Sequence, residues 1–407
     1  MKVNKYFPFA FLFFFVNSLA LPFGVTYTVL LAPFFYVWIL LTRKKEVLLP
    51  FIAMLAPFIF VQVLFGDVVR KVYFFSLANL ILVYIFCQAV YTFLIVCQDV
   101  EKIFRRILVI NFFLCLLAII FYFTPYYNIF WIEQNLTEGI SDFRRMKLFT
   151  YEASYYATLL VPIFCFYTLQ YLFRQNTIKG WLLLPMIFLP YVLSFSFGVM
   201  GALLVSIVIT YIIHFRALTR KKRVFNTVVF GAPLLLLGGG IVYFLLRESF
   251  FVLRLQNIYT GNDLASRGRT SDAFLIAKKL LAKRNEYWGI GLGQIKILGE
   301  DVLRSYYQYT KDFVATIPNA AAETFAVFGW IGLFLRLFIE LFFFFYTKVW
   351  TNHYRLWLFL FIFIFQFMGS FITNIAEYVI WIMAFTNVFT QFDVQKQELK
   401  TSMVLAQ

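Results

Sequence analysis

Two short segments of this chain set arginines beside a carboxylate or at a helix start. The first, FRRMKLFTYEASYYATLLVP (143–162), places Arg144, Arg145 and Lys147 just ahead of Tyr151 and Glu152, where a long apolar run begins. Guanidinium groups at that position suit bidentate contact with a diphosphate, and a carboxylate one or two turns on can take a proton from a hydroxyl. A plainer reading stays open, in which the cations meet anionic headgroups and Glu152 is an interfacial charge. The second, SRGRTSD (266–272), puts Arg267 and Arg269 around Gly268, ahead of a helix predicted to start at Thr270 or Ser271 with Asp272 in its first turn. The N–H groups and partial positive charge of that helix start would add to the arginines and make an anion site; the alternative is a solvated loop face.

A third segment, PNAAAETFAVFGWIGLFLRLFIEL (318–341), holds Asn319 and Glu323 one helical turn apart among small alanines. Deeper in the same run, Arg336 and Glu340 form an i,i+4 pair, read as a structural ion pair far toward the inner side. Asn374 and Glu377 lie in the turn between the last two apolar runs, where they can join Glu323 at one site. GIGLG (289–293) is predicted to be a turn and not a phosphate loop, because no strand precedes it and the GxGxxG spacing is missing. His214 and His353, the only histidines, fall on the predicted inner side, so a histidine base, a histidine metal site and a Ser-His triad are not expected on the outer face. The four cysteines sit within or at the end of apolar runs with no CxxC spacing, so neither a metal site nor a disulfide framework is expected.

These residues need elements to hold them, and the composition says which kind. With 62% hydrophobic, 22% aromatic and only 14% charged residues, and a mean hydropathy of +0.80, the chain reads as an all-α polytopic membrane protein. Backbone polar groups cannot be left unpaired in hydrocarbon, so each crossing takes about 20 apolar residues as a helix. The apolar runs predict twelve spans, at 6–21, 25–41, 47–65, 74–96, 107–124, 153–173, 181–195, 198–214, 227–246, 322–346, 357–373 and 378–391, in one transmembrane domain over 1–407. The apolar start is read as a retained first helix and not a signal peptide, since a second run follows at once. Two long blocks, 181–215 and 357–391, are each split, the first at SFSFG and the second at Asn374–Glu377. No internal repeat is visible.

Both termini then lie on the cytoplasmic side, with nineteen Lys/Arg in inner segments against five in the short outer loops. The net charge of +16 is therefore mostly topological and does not indicate nucleic acid. Two outer loops stand out, 125–152 and 247–319, and the second carries eleven Lys/Arg. At 73 residues it exceeds the roughly 60-residue limit within which positive charge sets orientation, so its basicity needs another reason. Within it Phe274, Ala277 and Leu281 share a helical face and Lys279 and Lys283 point away. That pattern predicts an amphipathic helix over the outer membrane surface or the mouth of the bundle, ended by Gly289, Gly291 and Gly293.

In this order the features resemble the O-antigen polymerase and O-antigen ligase superfamily of bacterial inner-membrane glycosyltransferases, over most of the chain. The shared pattern is an outer-loop arginine before a middle span, then a long late loop with Arg269, the helix from Phe274 to Arg284, the turn Gly289 to Gly293, and Asn319 leading to Gly329 and Gly332. The resemblance implies a GT-C-like, metal-independent, inverting transfer of a sugar chain from undecaprenyl diphosphate at the periplasmic face, with no cofactor. It implies Arg144 or Arg145 with Arg267 and Arg269 as the diphosphate clamp, Glu152 as base or acceptor orienter with Glu323 in reserve, and Asn319, Glu377 and Tyr151 lining the acceptor site. Ligases carry a histidine before that asparagine and this chain has Pro318, which favours the polymerase. Membrane lipids, a chain-length regulator and a flippase are the partners implied. A ligase, a lipid-linked oligosaccharide flippase and a non-catalytic scaffold are the rival readings; the long loop and the missing repeats argue against a transporter.

Overall fold

A computed structural model describes residues 5–19, 26–134, 143–175, 178–219, 224–226, 250–260, 269–307 and 314–397. The apolar runs form helices α1 (Phe7–Phe11), α2 (Tyr27–Leu30), α3 (Ala32–Arg43), α4 (Leu48–Phe65), α5 (Arg70–Val96) and α6 (Val100–Tyr122). After a hairpin of β1 (Trp131–Gln134) and β2 (Phe143–Met146) come α7 (Ala153–Leu172), α8 (Gly180–Ser194), α9 (Phe197–Ile213) and α10 (Phe215–Thr219). The remainder holds α11 (Phe250–Thr260), α12 (Ser271–Leu281), α13 (Ile295–Tyr307), α14 (Ala320–Tyr346), α15 (His353–Phe365) and α16 (Ile375–Phe385). Among the described residues four helices, α5, α6, α7 and α14, are long and apolar enough to cross a membrane unaided, and the others are shorter. The predicted span at 227–246 lies outside the described residues.

Both long apolar blocks break into helix pairs. In the first, Phe195 takes a left-handed φ of 50° between α8 and α9. In the second, α15 ends at Phe365 and α16 begins nine residues after Gln366, at Ile375. His214, just past α9, and His353, at the start of α15, meet edge to face with centroids 4.4 Å apart, so these two ends lie together. From there α15 runs to the opposite end, where its Gln366 carbonyl accepts from Ala321 at 3.1 Å, and α16 returns until the Ala384 carbonyl meets Arg355 Nε at 2.8 Å.

The end that carries Gln366 also carries the hairpin, α12 and α13; it is called the loop end below. The hairpin is the one departure from the all-α expectation among the described residues. Its antiparallel register sets Glu133 opposite Arg144 and Ile132 opposite Arg145. Helix α12 buries Ala273, Ile276, Ala277, Leu280 and Leu281 while Lys278 and Lys279 stay exposed, and it packs along α14 with Phe274 against Phe325 and Phe367. Its apolar face is therefore covered by the helix bundle. Two local expectations are corrected. Thr270 sits at the N-cap without a side-chain capping bond, and α12 ends at Leu281, well before Gly289.

The glycine turn has a different role from helix termination. Inside α14, Gly329 takes φ 67° and ψ −164°, which breaks the helix. Groups that a continuous helix would pair internally bond instead to the turn: Ile290 N to Ala326 O at 2.9 Å, Gly291 N to Val327 O at 3.1 Å, Trp330 N to Glu286 O at 3.0 Å and Ile331 N to Tyr287 O at 3.2 Å. Gln62 closes the joint, donating to the carbonyls of Trp288 at 2.6 Å and Val327 at 2.9 Å. A Cβ at Gly289 would lie 2.2 Å from the Val327 carbonyl oxygen, and one at Gly329 would lie 2.3 Å from that of Tyr287. Gly289→Ala or Gly329→Ala should therefore cost on the order of 3 kcal/mol, from a left-handed φ together with displaced hydrogen bonds. Gly291→Ala meets the Val68 side chain at 2.9 Å and should cost less, because a side chain can give way. Thermal unfolding of the three variants in detergent measures the difference.

Candidate functional site

The two arginine segments meet at the loop end through one pair. Arg269 Nη2 lies 3.8 Å from Glu152 Oε1, with the two side chains 33% and 23% exposed. Glu152 is the N-cap residue of α7, and its Oε1 also accepts from Ser154 Oγ at 2.5 Å. Beside it Tyr151 is exposed and packs against Tyr155 with the rings tilted by 30° and centroids 4.8 Å apart. At 3.8 Å Arg269 and Glu152 form an ion pair and not a hydrogen bond, and no described residue accepts a hydrogen bond from the Arg269 guanidinium.

Arg144 and Arg145, one of which was expected in the clamp with Arg267 and Arg269, both have partners at the hairpin. Arg144 pairs with Glu133 at 2.8 Å, donates to the Tyr122 carbonyl at 3.2 Å and lies over the Tyr127 ring at 3.8 Å. The hydrogen bond from Arg144 holds the Glu133 carboxyl below its usual range. Arg145 is buried, donating to the Ser194 carbonyl at 3.0 Å and to Gln134 Oε1 at 2.7 Å, which ties the hairpin to the end of α8. The alternation of β2 sends these neighbours to opposite faces, and both find partners within the protein. Lys147 is partly buried, which pushes its ammonium pKa down. Arg267 lies outside the described residues.

Asn319 is fully buried and caps α14, its Oδ1 accepting from Ala322 N at 2.8 Å. Glu323, one turn on, is partly buried and accepts from Ile372 N at 2.7 Å. Glu323 and Glu377 come together at the turn between α15 and α16, Glu323 on Ile372 N and Glu377 on Ser370 Oγ. Glu377 is fully buried, bonds Arg336 Nη2 and accepts from Ser370 Oγ. Asn374 caps α16 and donates to Ser370 Oγ at 2.9 Å.

The Arg336–Glu340 pair is present at 3.1 Å, within a larger set of contacts than an i,i+4 pair supplies. Arg336 also donates to Gln366 Oε1 at 2.7 Å and Thr324 Oγ1 at 3.2 Å, and Gln366 donates to Glu340 Oε2 at 2.7 Å. Twelve residues of straight helix rise about 18 Å, beyond one arginine side chain, so the contact with Thr324 needs the break at Gly329. The pair thus sits midway along the bundle, bonded to Thr324 and Gln366 of the loop end. Gln366, Ser370 and Thr324 were not anticipated; a glutamine inside an apolar run was the signal for the first.

Beside these side chains a cavity of ≈ 620 Å³ opens between α4, α5, α14 and α16. Its walls are mainly apolar and aromatic, with Thr324 and Ile372 near the loop end, Arg336 and Glu340 midway, and Tyr346 and Thr386 at the far end. Fold and site together define a mostly helical protein with four helices long and apolar enough to cross a membrane and a partly exposed ion pair at one end of the bundle. No protein-family model, curated protein or solved structure matches the chain.

Proposed function

We propose that the chain is a polysaccharide polymerase that joins repeat units carried on undecaprenyl diphosphate, by inverting transfer at the periplasmic face of the bacterial inner membrane. The observation that carries the reading is the Arg269–Glu152 pair: a guanidinium with unused donors, one-third exposed, next to a carboxylate at a helix N-terminus. Displacing a lipid diphosphate from an anomeric carbon builds negative charge on the leaving oxygen. Arg269 meets that charge as it develops, so it stabilises the transition state more than the ground state. Glu152 accepts hydrogen from the attacking hydroxyl, orients it and takes its proton as the new bond forms. Glu152 is preferred over Glu323 because it adjoins the arginine. The long cavity along α14 and α16 suits the polyprenyl chain of the donor or acceptor, since it is apolar and lies among the long apolar helices. Twelve spans with both termini in the cytoplasm, and association with a flippase and a chain-length regulator, belong to the same proposal.

The test is the glycolipid profile of a host strain lacking the gene, complemented with the wild type or with Lys283→Ala. The deletion should keep a single repeat unit on the final acceptor and lose the ladder, and both complements should restore it. Lys283 is exposed and reaches only the Leu298 carbonyl, at 3.4 Å, so its loss should change little. Full-length chains left on undecaprenyl diphosphate would indicate a ligase instead, and repeat units trapped on the inner face a flippase.

A further inference from the structure

We infer that Asn319 is a positioning residue that holds Arg269 against Glu152 by bonding the Arg269 backbone to the turn between α15 and α16. Its side-chain amide donates to the Arg269 carbonyl at 2.7 Å and to the Phe367 carbonyl at 2.7 Å. Its oxygen is taken up by Ala322 N, so every polar atom of this fully buried side chain is used, on three separate segments.

The turn to which it is tied is held firmly. Gln366 bonds both Arg336 and Glu340, Gly369 O accepts from Ala320 N at 3.1 Å, Ser370 donates to Glu377, and Ile372 N donates to Glu323. On the Arg269 side, Thr270 at the N-cap of α12 makes no side-chain capping bond. The one side-chain bond to its backbone given by a described residue is that of Asn319. The buried polar cluster in the membrane part therefore reaches the loop-end pair through a single amide, and capping α14 is only half of what that amide does.

This role rests on the proposed reaction for its activity readout but not for its geometry. Asn319→Asp separates the two jobs, since it keeps the capping oxygen and replaces the double donor with an acceptor facing two carbonyls. Asn319→Ser keeps a capping hydroxyl in a shorter side chain and serves as a second variant. The full chain is tested in membranes in two ways. One is the polysaccharide ladder of each variant at matched protein level; the other is cross-linking of Glu152→Cys with Arg269→Cys by a short bifunctional methanethiosulfonate, with and without Asn319→Asp in the same chain.

Asn319→Asp should lower polymer by about 100-fold, the usual cost of displacing a catalytic group by about 1 Å, and should lower the cross-linking yield in parallel. Protein level and unfolding temperature should stay near wild type for at least one of the two variants. Cross-linking unchanged by Asn319→Asp would overturn the positioning role whatever happens to the ladder. Reduced cross-linking with no change in a glycolipid profile that Arg269→Ala also leaves unchanged would uphold the positioning and sink the polymerase reading. If both variants fail to accumulate, Asn319 acts as a cap alone and the inference fails.

Discussion

Arg269→Ala should abolish the polysaccharide ladder while leaving the protein at its normal level in the membrane. The expected loss is about 100- to 1,000-fold, the range for removing one preorganised donor from a developing oxyanion. Stability should hold because the side chain makes a partly exposed contact with Glu152 at 3.8 Å, and such pairs contribute at most about 1 kcal/mol. Arg269→Lys keeps the charge and loses the planar fork, so it should retain part of the activity, about tenfold below wild type. Glu152→Gln keeps the size of the side chain and loses the base; it should fall with Arg269→Ala, and the double variant should be little worse than either, because groups that act as a unit are not additive. The measurement is the ladder at matched expression. A full ladder from Arg269→Ala would remove the arginine from the reaction, and a parallel fall in protein level would make it structural.

The second large effect is on folding. Arg336→Met should destabilise the protein by about 3–5 kcal/mol, because it leaves Glu340 and Glu377 buried without the cation that both bond. Glu340 and Glu377 are 6% and 0% exposed, so water cannot make good the loss. Adding Glu340→Gln and Glu377→Gln to Arg336→Met should recover much of the stability, since a neutral set no longer strands buried charge. Thermal unfolding in detergent, together with the amount of folded protein recovered from membranes, measures both steps. If Arg336→Met melts with the wild type, the cluster does not contribute to packing in the way its contacts imply.

The glycine turn shows how much of such a protein can be read in advance and where reading stops. GIGLG was legible as a turn because no strand precedes it and the GxGxxG spacing is missing, and Gly289, Gly291 and Gly293 take left-handed φ of 80°, 98° and 73°. What the turn docks against was not legible: the break at Gly329 looks in sequence like an ordinary small residue inside an apolar run. Arg144 and Arg145 show the same limit. Their types and their place ahead of a helix were right for an anion site, but the hairpin gave them partners in Glu133, Gln134 and Ser194 that spacing does not reveal.

By itself the sequence determined that the chain is mostly helical with helices long enough to cross a membrane, that the blocks 181–215 and 357–391 each break in two, and that one face of residues 271–281 is apolar. These follow from local rules, because hydrophobic period, run length and interrupting polar residues act within a few turns of helix. The tertiary structure alone decided which arginine meets Glu152. Arg269 faces Glu152 because Asn319 and the turn after α15 bring together segments far apart in the chain, and long-range closure of that kind leaves no periodic mark in the residues that take part.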